Sequence, residues 1–347
     1  MAGVIALMGS GETAPGMTKV HRRLLARHED VRAVNLDSPY GFQENVPQVT
    51  EKLVEYFSTS LTTRLRTLAL PSYEAASDLE RALVKREVRQ ATYVFAGPGS
   101  PSYALNQWRP LGLADDLRAV LDDDGTLCFS SAAVLTLGAH TAPIYEVYKV
   151  GLPARWLEGL NLLGDLGLDC AAIPHYDNAE GRNYDTRYCY LGERRLRELE
   201  AQLPTGSAIL GVDEHTAILL DVDADTVSVV GRSRGHWRVH GETLDLENGS
   251  VTPLATLREM AGSVRRDRAS TPPLAPSAEI DELLARVDQS GYDPAPLVEG
   301  ILALRDAAKA EGNYALADRL RAALTDAGIA VHDQVGSTTW EIVIPRD

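Results

Sequence analysis

The sequence predicts an α/β protein built on a doubly wound, mostly parallel sheet, with antiparallel β additions and a small, mainly helical C-terminal domain. Three observations predict this. Apolar runs of strand length alternate with helix-spaced segments through roughly the first third of the chain. After about residue 207 the alternation gives way to short β segments split by turn residues. A proline- and serine-rich stretch, "ASTPPLAPS", then breaks all periodicity ahead of two amphipathic patterns.

In chain order, "GVIALMG" (3–9), "VRAVNL" (31–36), "RTLALP" (66–71), "ATYVFAG" (91–97) and "TLCFSS" (126–131) read as buried strands. Helical spacing fills 47–59, 76–89 and 113–121 between them, which is the rhythm of βαβ units and a parallel sheet. "SAILGVDE", "TAILLDVD", "TVSVVGR" and "HWRVHG" follow as antiparallel additions at one edge. The boundaries that result are an α/β domain over 1–261, a linker over 262–278 and a helical domain over 279–347. In the last, "EIDELLARVDQ" and "PLVEGILALRDAAKAEGNYALADRLRAALTDAG" precede a short β segment, "WEIVIP".

Composition narrows the function classes. With 347 residues and 44% hydrophobic content the chain can bury a large core. A net charge of −15 opposes phosphate backbones, so nucleic-acid binding is disfavoured, and the one short basic cluster, "RRDR" (265–268), falls at the linker. No apolar run approaches the ~20 residues that span a bilayer. The start "MAGVIALMGSGE" lacks the basic region of a signal peptide, so a cytoplasmic protein is expected. Cys128, Cys170 and Cys189 are too few and too widely spaced for a disulfide framework or a zinc site, and read as buried thiols. "GSGETAPG" (9–16) matches neither GxGxxG nor GxxxxGK[ST], so no cofactor or metal is expected.

The chemistry concentrates in loops at the carboxyl ends of strands, where ligands of such sheets bind. "GTLCFSSAAVLTLG" (125–138) ends a buried strand on two serines before a helix rich in small residues, so Ser131 is either a nucleophile at a strand-to-helix elbow or a helix cap. Phe129 and Ala133 stand where the G-x-S-x-G elbow has glycines, and Phe129 is expected to crowd a substrate. "AGPGSPSYAL" (96–105) carries Gly97 and Gly99, which allow a tight turn with amide hydrogens exposed to a ligand oxygen. "CAAIPHYDNAEG" (170–181) sets His175 just past an apolar run, and "AILGVDEHTAILLD" (208–221) sets Asp213 and Glu214 between two more. A serine, a histidine and an acid at one sheet edge are the parts of a hydrolytic triad.

These residues carry a resemblance. "GSGE", "AGPGSPSYAL", "SSAAV", "IPHYDN" and "GVDEHTAI" occur in the order and at separations similar to the motifs of the cyanophycinase and dipeptidase E family, over roughly residues 3–255. The resemblance implies a class I glutamine amidotransferase-like fold and serine peptidase chemistry. It places Ser131 at the nucleophile, His175 at the general base and Glu214 at the supporting acid, with the amides of Gly99 and Ala132 as the oxyanion hole. Pro98 replaces a glycine of the family loop and has no N–H to give. The family's peptides contain aspartate, which implies a cation for an acidic side chain, and Arg187 in "EGRNYDTRYCYLGERR" is the candidate. Tyr145, with Tyr148 and Lys149, is expected to wall the pocket, and Asn178 to touch the substrate. Arg194 and Arg195 read as a solvated helix face.

"NYALADRLRAALTDAGIAVHDQVGSTTW" resembles the small C-terminal domain of cysteinyl-tRNA synthetases over about 30 to 60 residues. Neither HIGH nor KMSKS occurs, so synthetase catalysis is not expected. From Glu279 to Asp347 there are 13 acidic and 6 basic residues, a net of −7, which favours docking of a protein partner or homo-oligomerisation over tRNA binding. Two function classes stand side by side: a serine-nucleophile hydrolase of a peptide or other amide bond, and a catalytically degenerate binding or scaffold protein on the same fold. Cys128 should point into the strand interior, which sets glutamine amidotransferase chemistry behind both.

Overall fold

Strand β1 (Val4–Met8) is a run of five buried apolar residues whose alternate members face two different cores: Ile5 and Leu7 one, Val4, Ala6 and Met8 the other. A strand covered on both faces belongs in the middle of a parallel sheet. The computed structural model describes residues 2–262 and, beyond them, positions 298–299, 302–303, 305–306, 309, 317, 321, 324, 329–334 and 337–342. The chain divides into two compact units, Met1–Asp267 and Arg268–Asp347.

In the first unit β2 (Ala33–Leu36), β3 (Leu65–Leu68), β4 (Tyr93–Ala96) and β5 (Thr126–Ser130) are the strands expected from their apolar runs. Helix α1 (Pro15–Leu25) follows β1, α2 (Val46–Ser60) follows β2, α3 (Asp78–Arg89) follows β3, and α4 (Pro101–Leu111) and α5 (Leu113–Asp122) follow β4. Local chemistry sets their ends. Ser77 and Glu80 close a capping box on α3. Ser100 caps α4 ahead of Pro101, and Gly112 ends it at φ +68°.

The remaining strands are β6 (His140–Thr141), β7 (Leu157–Glu158), β8 (Cys170–Ile173), β9 (Ala208–Val212), β10 (Thr216–Asp221), β11 (Thr226–Gly231), β12 (Gly235–Val239), β13 (Glu242–Leu246) and β14 (Val251–Pro253). The first sheet runs β14-β11-β10-β1-β5-β4-β2-β3, parallel from β1 to β3 and antiparallel across β10, β11 and β14. The sequence suggested that all late β segments extend one edge of this sheet. Instead β9, β12 and β13 join β8, β6 and β7 in a second, six-stranded sheet, ordered β13-β12-β9-β8-β6-β7. Pairing makes the split: β9 and β10 are both buried on both faces, but β9 pairs in parallel with β8 while β10 crosses back to pair antiparallel with β1.

The helix expected after β5 is a 3₁₀ turn, Ser131–Thr136, buried from Ala132 onward. Helices α6 (Ile144–Tyr148), α7 (Gly192–Glu200) and α8 (Leu254–Ala261) complete this unit.

In the second unit β15 (Ile329–Gln334) pairs antiparallel with β16 (Ser337–Ile342), and Val298, Leu302, Leu324 and Val331 form a small buried cluster. The sequence marked only the later strand. "GIAVHD" supplies its partner, which a lone strand needs in order to satisfy its backbone. Residues 263–278 of the predicted linker and the predicted helix over 279–289 lie outside the described residues. Among the described residues no helix is long and apolar enough to cross a membrane.

Candidate active site

The two sheets meet at their strand ends, and each contributes one member of a hydrogen-bonded trio. Ser131 leaves β5 level with the end of β1, since Met8 pairs with Ser130. Its backbone is left-handed, φ +52°, a conformation that costs a non-glycine residue ~1–3 kcal/mol and lifts the side chain out of the strand path. Ser131 Oγ lies 2.9 Å from His175 Nε2. His175 follows β8 in the second sheet, also left-handed at φ +48°, and its Nδ1 lies 2.8 Å from Glu214 Oε1. Glu214 sits on the turn from β9 to β10, the crossing from the second sheet to the first.

A carboxylate only accepts hydrogen bonds, so Nδ1 carries the proton and Nε2 is free to accept from the Ser131 hydroxyl. That hydrogen bond from His175, with a second from Asn178, holds the Glu214 carboxyl below the usual range against partial burial. The 3₁₀ turn takes no side-chain cap, and the Ser130 hydroxyl donates instead to Glu12 Oε2 at 3.0 Å. The capping reading of Ser131 is therefore replaced by one in which its hydroxyl belongs to His175.

Neighbouring polar groups fix this geometry. The Glu214 N–H donates to Asp177 Oδ1 at 2.7 Å and the His215 N–H to Ser10 Oγ at 3.2 Å. A Cβ on Gly9 would meet the Asp213 carbonyl at 2.0 Å, so glycine is required for β1 to end against this turn. "GSGE" is thus a seat for the acid rather than a phosphate loop. Tyr188, Cys189 and Tyr190 form a left-handed run, φ +59°, +55° and +66°, that curls back so that the Cys189 N–H reaches the His175 carbonyl at 3.1 Å. Asp177, Ser10 and this run escaped the sequence reading, because backbone-to-side-chain bonds between distant loops leave no spacing signal.

A cavity of about 340 Å³ opens on Ser131 and His175, bordered by Gly99, Ala132, Tyr145, Tyr148, Lys149 and Tyr190 among others. Gly99, at φ +146°, approaches Pro39 so closely that a Cβ would lie 1.9 Å from its carbonyl oxygen. Pro98 faces a separate hollow of about 540 Å³ on the other side of the loop. Burial pushes the Cys189 thiol up to about 12, so this pocket cysteine stays a neutral thiol.

Three expectations change. Phe129 does not crowd the pocket: it is fully buried against Trp108, with ring centroids 6.0 Å apart, and Ala133 lies in the same core. Alternation along β5 turns Phe129 to one face and Cys128 to the other. Arg187 is not part of the cavity wall, because its guanidinium holds Asp185 in a fork at 2.9 and 2.8 Å. Asn178 is buried and donates to Glu214 Oε1 at 3.0 Å, so it orients the acid and leaves no face for substrate.

Comparison with known proteins adds two separate likenesses. No family model matches the chain. A solved peptidase from an acI-B1 Actinobacterium shares the fold with a TM-score of 0.56 and 21% identity, over 73% of this chain and 97% of that one. A cysteine–tRNA ligase of Burkholderia cenocepacia is 35% identical over 139 residues, 36% of this chain and 30% of the ligase. The ligase of Idiomarina loihiensis is 27% identical over 134 residues, 35% of this chain and 29% of that protein. The chain therefore spans about 30% of the length of the curated relatives it matches. The ligase-like stretch is longer than the C-terminal module predicted for it.

Proposed function

We propose that this protein is a serine-nucleophile hydrolase of peptide or other amide bonds. The observation that carries the reading is the unbroken chain Ser131 Oγ, His175, Glu214 at 2.9 and 2.8 Å, beside a cavity walled by Gly99 and Ala132. The peptidase fold likeness supports it.

Ser131 Oγ attacks the substrate carbonyl as His175 Nε2 takes its proton, and Glu214 stabilises the imidazolium that forms. The Gly99 and Ala132 N–H groups receive the negative charge that develops on the carbonyl oxygen. His175 then gives the proton to the leaving amine. A water, deprotonated by the same imidazole, releases the acyl group and restores the serine. An acidic side chain of an aspartyl-type substrate is met by the Lys149 ammonium at the cavity wall, in place of Arg187. The C-terminal module serves a protein partner or a second copy of the chain, in keeping with its net charge of −7.

The degenerate-scaffold reading drew on Phe129, Ala133 and Pro98; the first two face the core, and Pro98, which has no N–H to give, lines a separate hollow. The test is hydrolysis of a library of short fluorogenic peptides by the full chain, with Ser131→Ala as control. The reading predicts turnover by the wild type that the variant loses. Equal background rates from both proteins would reject it.

A further inference from the structure

Behind the acid turn lies a cluster that the triad chemistry leaves unexplained. His236, on β12, has Nε2 2.9 Å from Asp213 Oδ1 and Nδ1 2.9 Å from Asp245 Oδ1. A carboxylate has no proton to offer, so both ring nitrogens donate and the ring is an imidazolium. It is stacked on Tyr176 with centroids 4.6 Å apart and planes 24° from parallel. Asp213 directly precedes Glu214, and Tyr176 directly follows His175. One side chain therefore touches the neighbour of the acid and the neighbour of the base.

Main-chain bonds tie the same two loops, the Tyr176 N–H to the Val212 carbonyl at 3.1 Å and the Glu214 N–H to Asp177 Oδ1 at 2.7 Å, and His236 adds a charged side-chain link behind them. Asp213, 2% exposed, also accepts from Ser233 Oγ at 2.5 Å and the Arg234 N–H at 3.2 Å. Asp245 is shared with Arg234, at 2.7 Å, which reaches on to Glu247 at 3.3 Å. Asp177, which holds the Glu214 N–H, adds a further negative charge beside Asp213. We infer that His236 is a positioning residue: as a fixed cation clamped between Asp213 and Asp245 and stacked on Tyr176, it sets the approach of His175 to Glu214. This rests on the triad reading above.

Burial works against the charged ring, but Asp213 and then Asp245 outweigh it, so the proton is held to higher pH than in an ordinary histidine. The cation is present below that raised pKa and lost above it. Once it is lost, a bare ring nitrogen faces one of the carboxylates and the clamp opens on that side.

The experiment follows two signals in the full chain between about pH 5 and 9: the His236 ring resonances and the Nδ1 proton of His175 in its bond to Glu214. The expected result is that the His175 signal shifts in step with the titration of His236. Asp245→Asn, which removes one of the two carboxylates, should move both curves to lower pH by about one unit. The alkaline limb of kcat/KM should move with them while KM stays constant. His236→Gln should flatten the alkaline limb and lower kcat by ~10- to 100-fold, the scale seen when a group orienting a functional imidazole is lost. A His175 signal that ignores the titration of His236, or a His236 that is neutral at pH 7, would overturn the inference. If no hydrolysis is found, the triad reading falls, while the two resonances still decide the positioning link. If His236→Gln does not fold, the Asp245→Asn shift decides it.

Discussion

The hydrogen-bonded trio and the exposed part of the pocket wall beside it are built in different ways. His175 and Glu214 sit on turns whose backbones are pinned by Ser10, Asp177 and the left-handed run at 188–190, and Ser131 on a left-handed residue at the end of β5. The wall consists of partly exposed side chains that hold one another. Tyr148 stacks on Tyr190 at 5.1 Å and its hydroxyl meets that of Tyr184 at 2.9 Å, while the Lys149 ammonium lies over the Tyr145 ring at 5.2 Å. On the proposed reading, main chain from two sheets sets the reaction geometry and the exposed groups of the wall set substrate choice.

That contrast orders the expected effects of mutation. Ser131→Gly should abolish turnover, a loss of ~10⁴-fold or more. It should also raise unfolding stability by about 1 kcal/mol, because glycine relieves the left-handed strain at φ +52°. A variant that loses stability instead would show that Ser131 is a structural bond and not a strained nucleophile. Glu214→Gln should cost ~10²–10⁴-fold in kcat with little change in KM. Asn178→Ala should cost about tenfold in kcat, the scale of one hydrogen bond to a charged group. Were KM to rise instead, Asn178 would belong to the wall.

On the wall the effects should fall on binding alone. Lys149→Ala should raise KM for an acidic peptide by about tenfold and leave kcat near wild type. Arg187→Ala should change neither constant by more than about twofold, since its guanidinium is taken up by Asp185 outside the cavity. A large effect of Arg187→Ala on acidic substrates would mean that the Asp185 fork opens when substrate arrives.

The same division explains what the sequence could disclose. The five parallel strands were legible because β1 and β4 are continuous apolar runs and the others are runs broken by only one or two polar residues, and Ser131, His175 and Glu214 because each lies just past an apolar run. The second sheet was not legible, since β9 and β10 read alike and only pairing decides which sheet each joins. Arg187 and Asn178 misled for a related reason. Their residue types suit substrate recognition, but a local partner, Asp185 in one case and Glu214 in the other, captures them first. Phe129 misled because a one-residue alternation along β5 decides between pocket and core.

The central claim is that Ser131 is an activated nucleophile, and covalent labelling tests it most directly. The full chain, treated with a serine-directed fluorophosphonate, should gain one adduct located at Ser131 by peptide mass spectrometry. Ser131→Ala and His175→Ala should gain none, whereas Ser130→Ala, which loses only the bond to Glu12, should still be labelled. An unlabelled wild type, under conditions that modify an active serine hydrolase, or an adduct that persists in Ser131→Ala, would contradict the account.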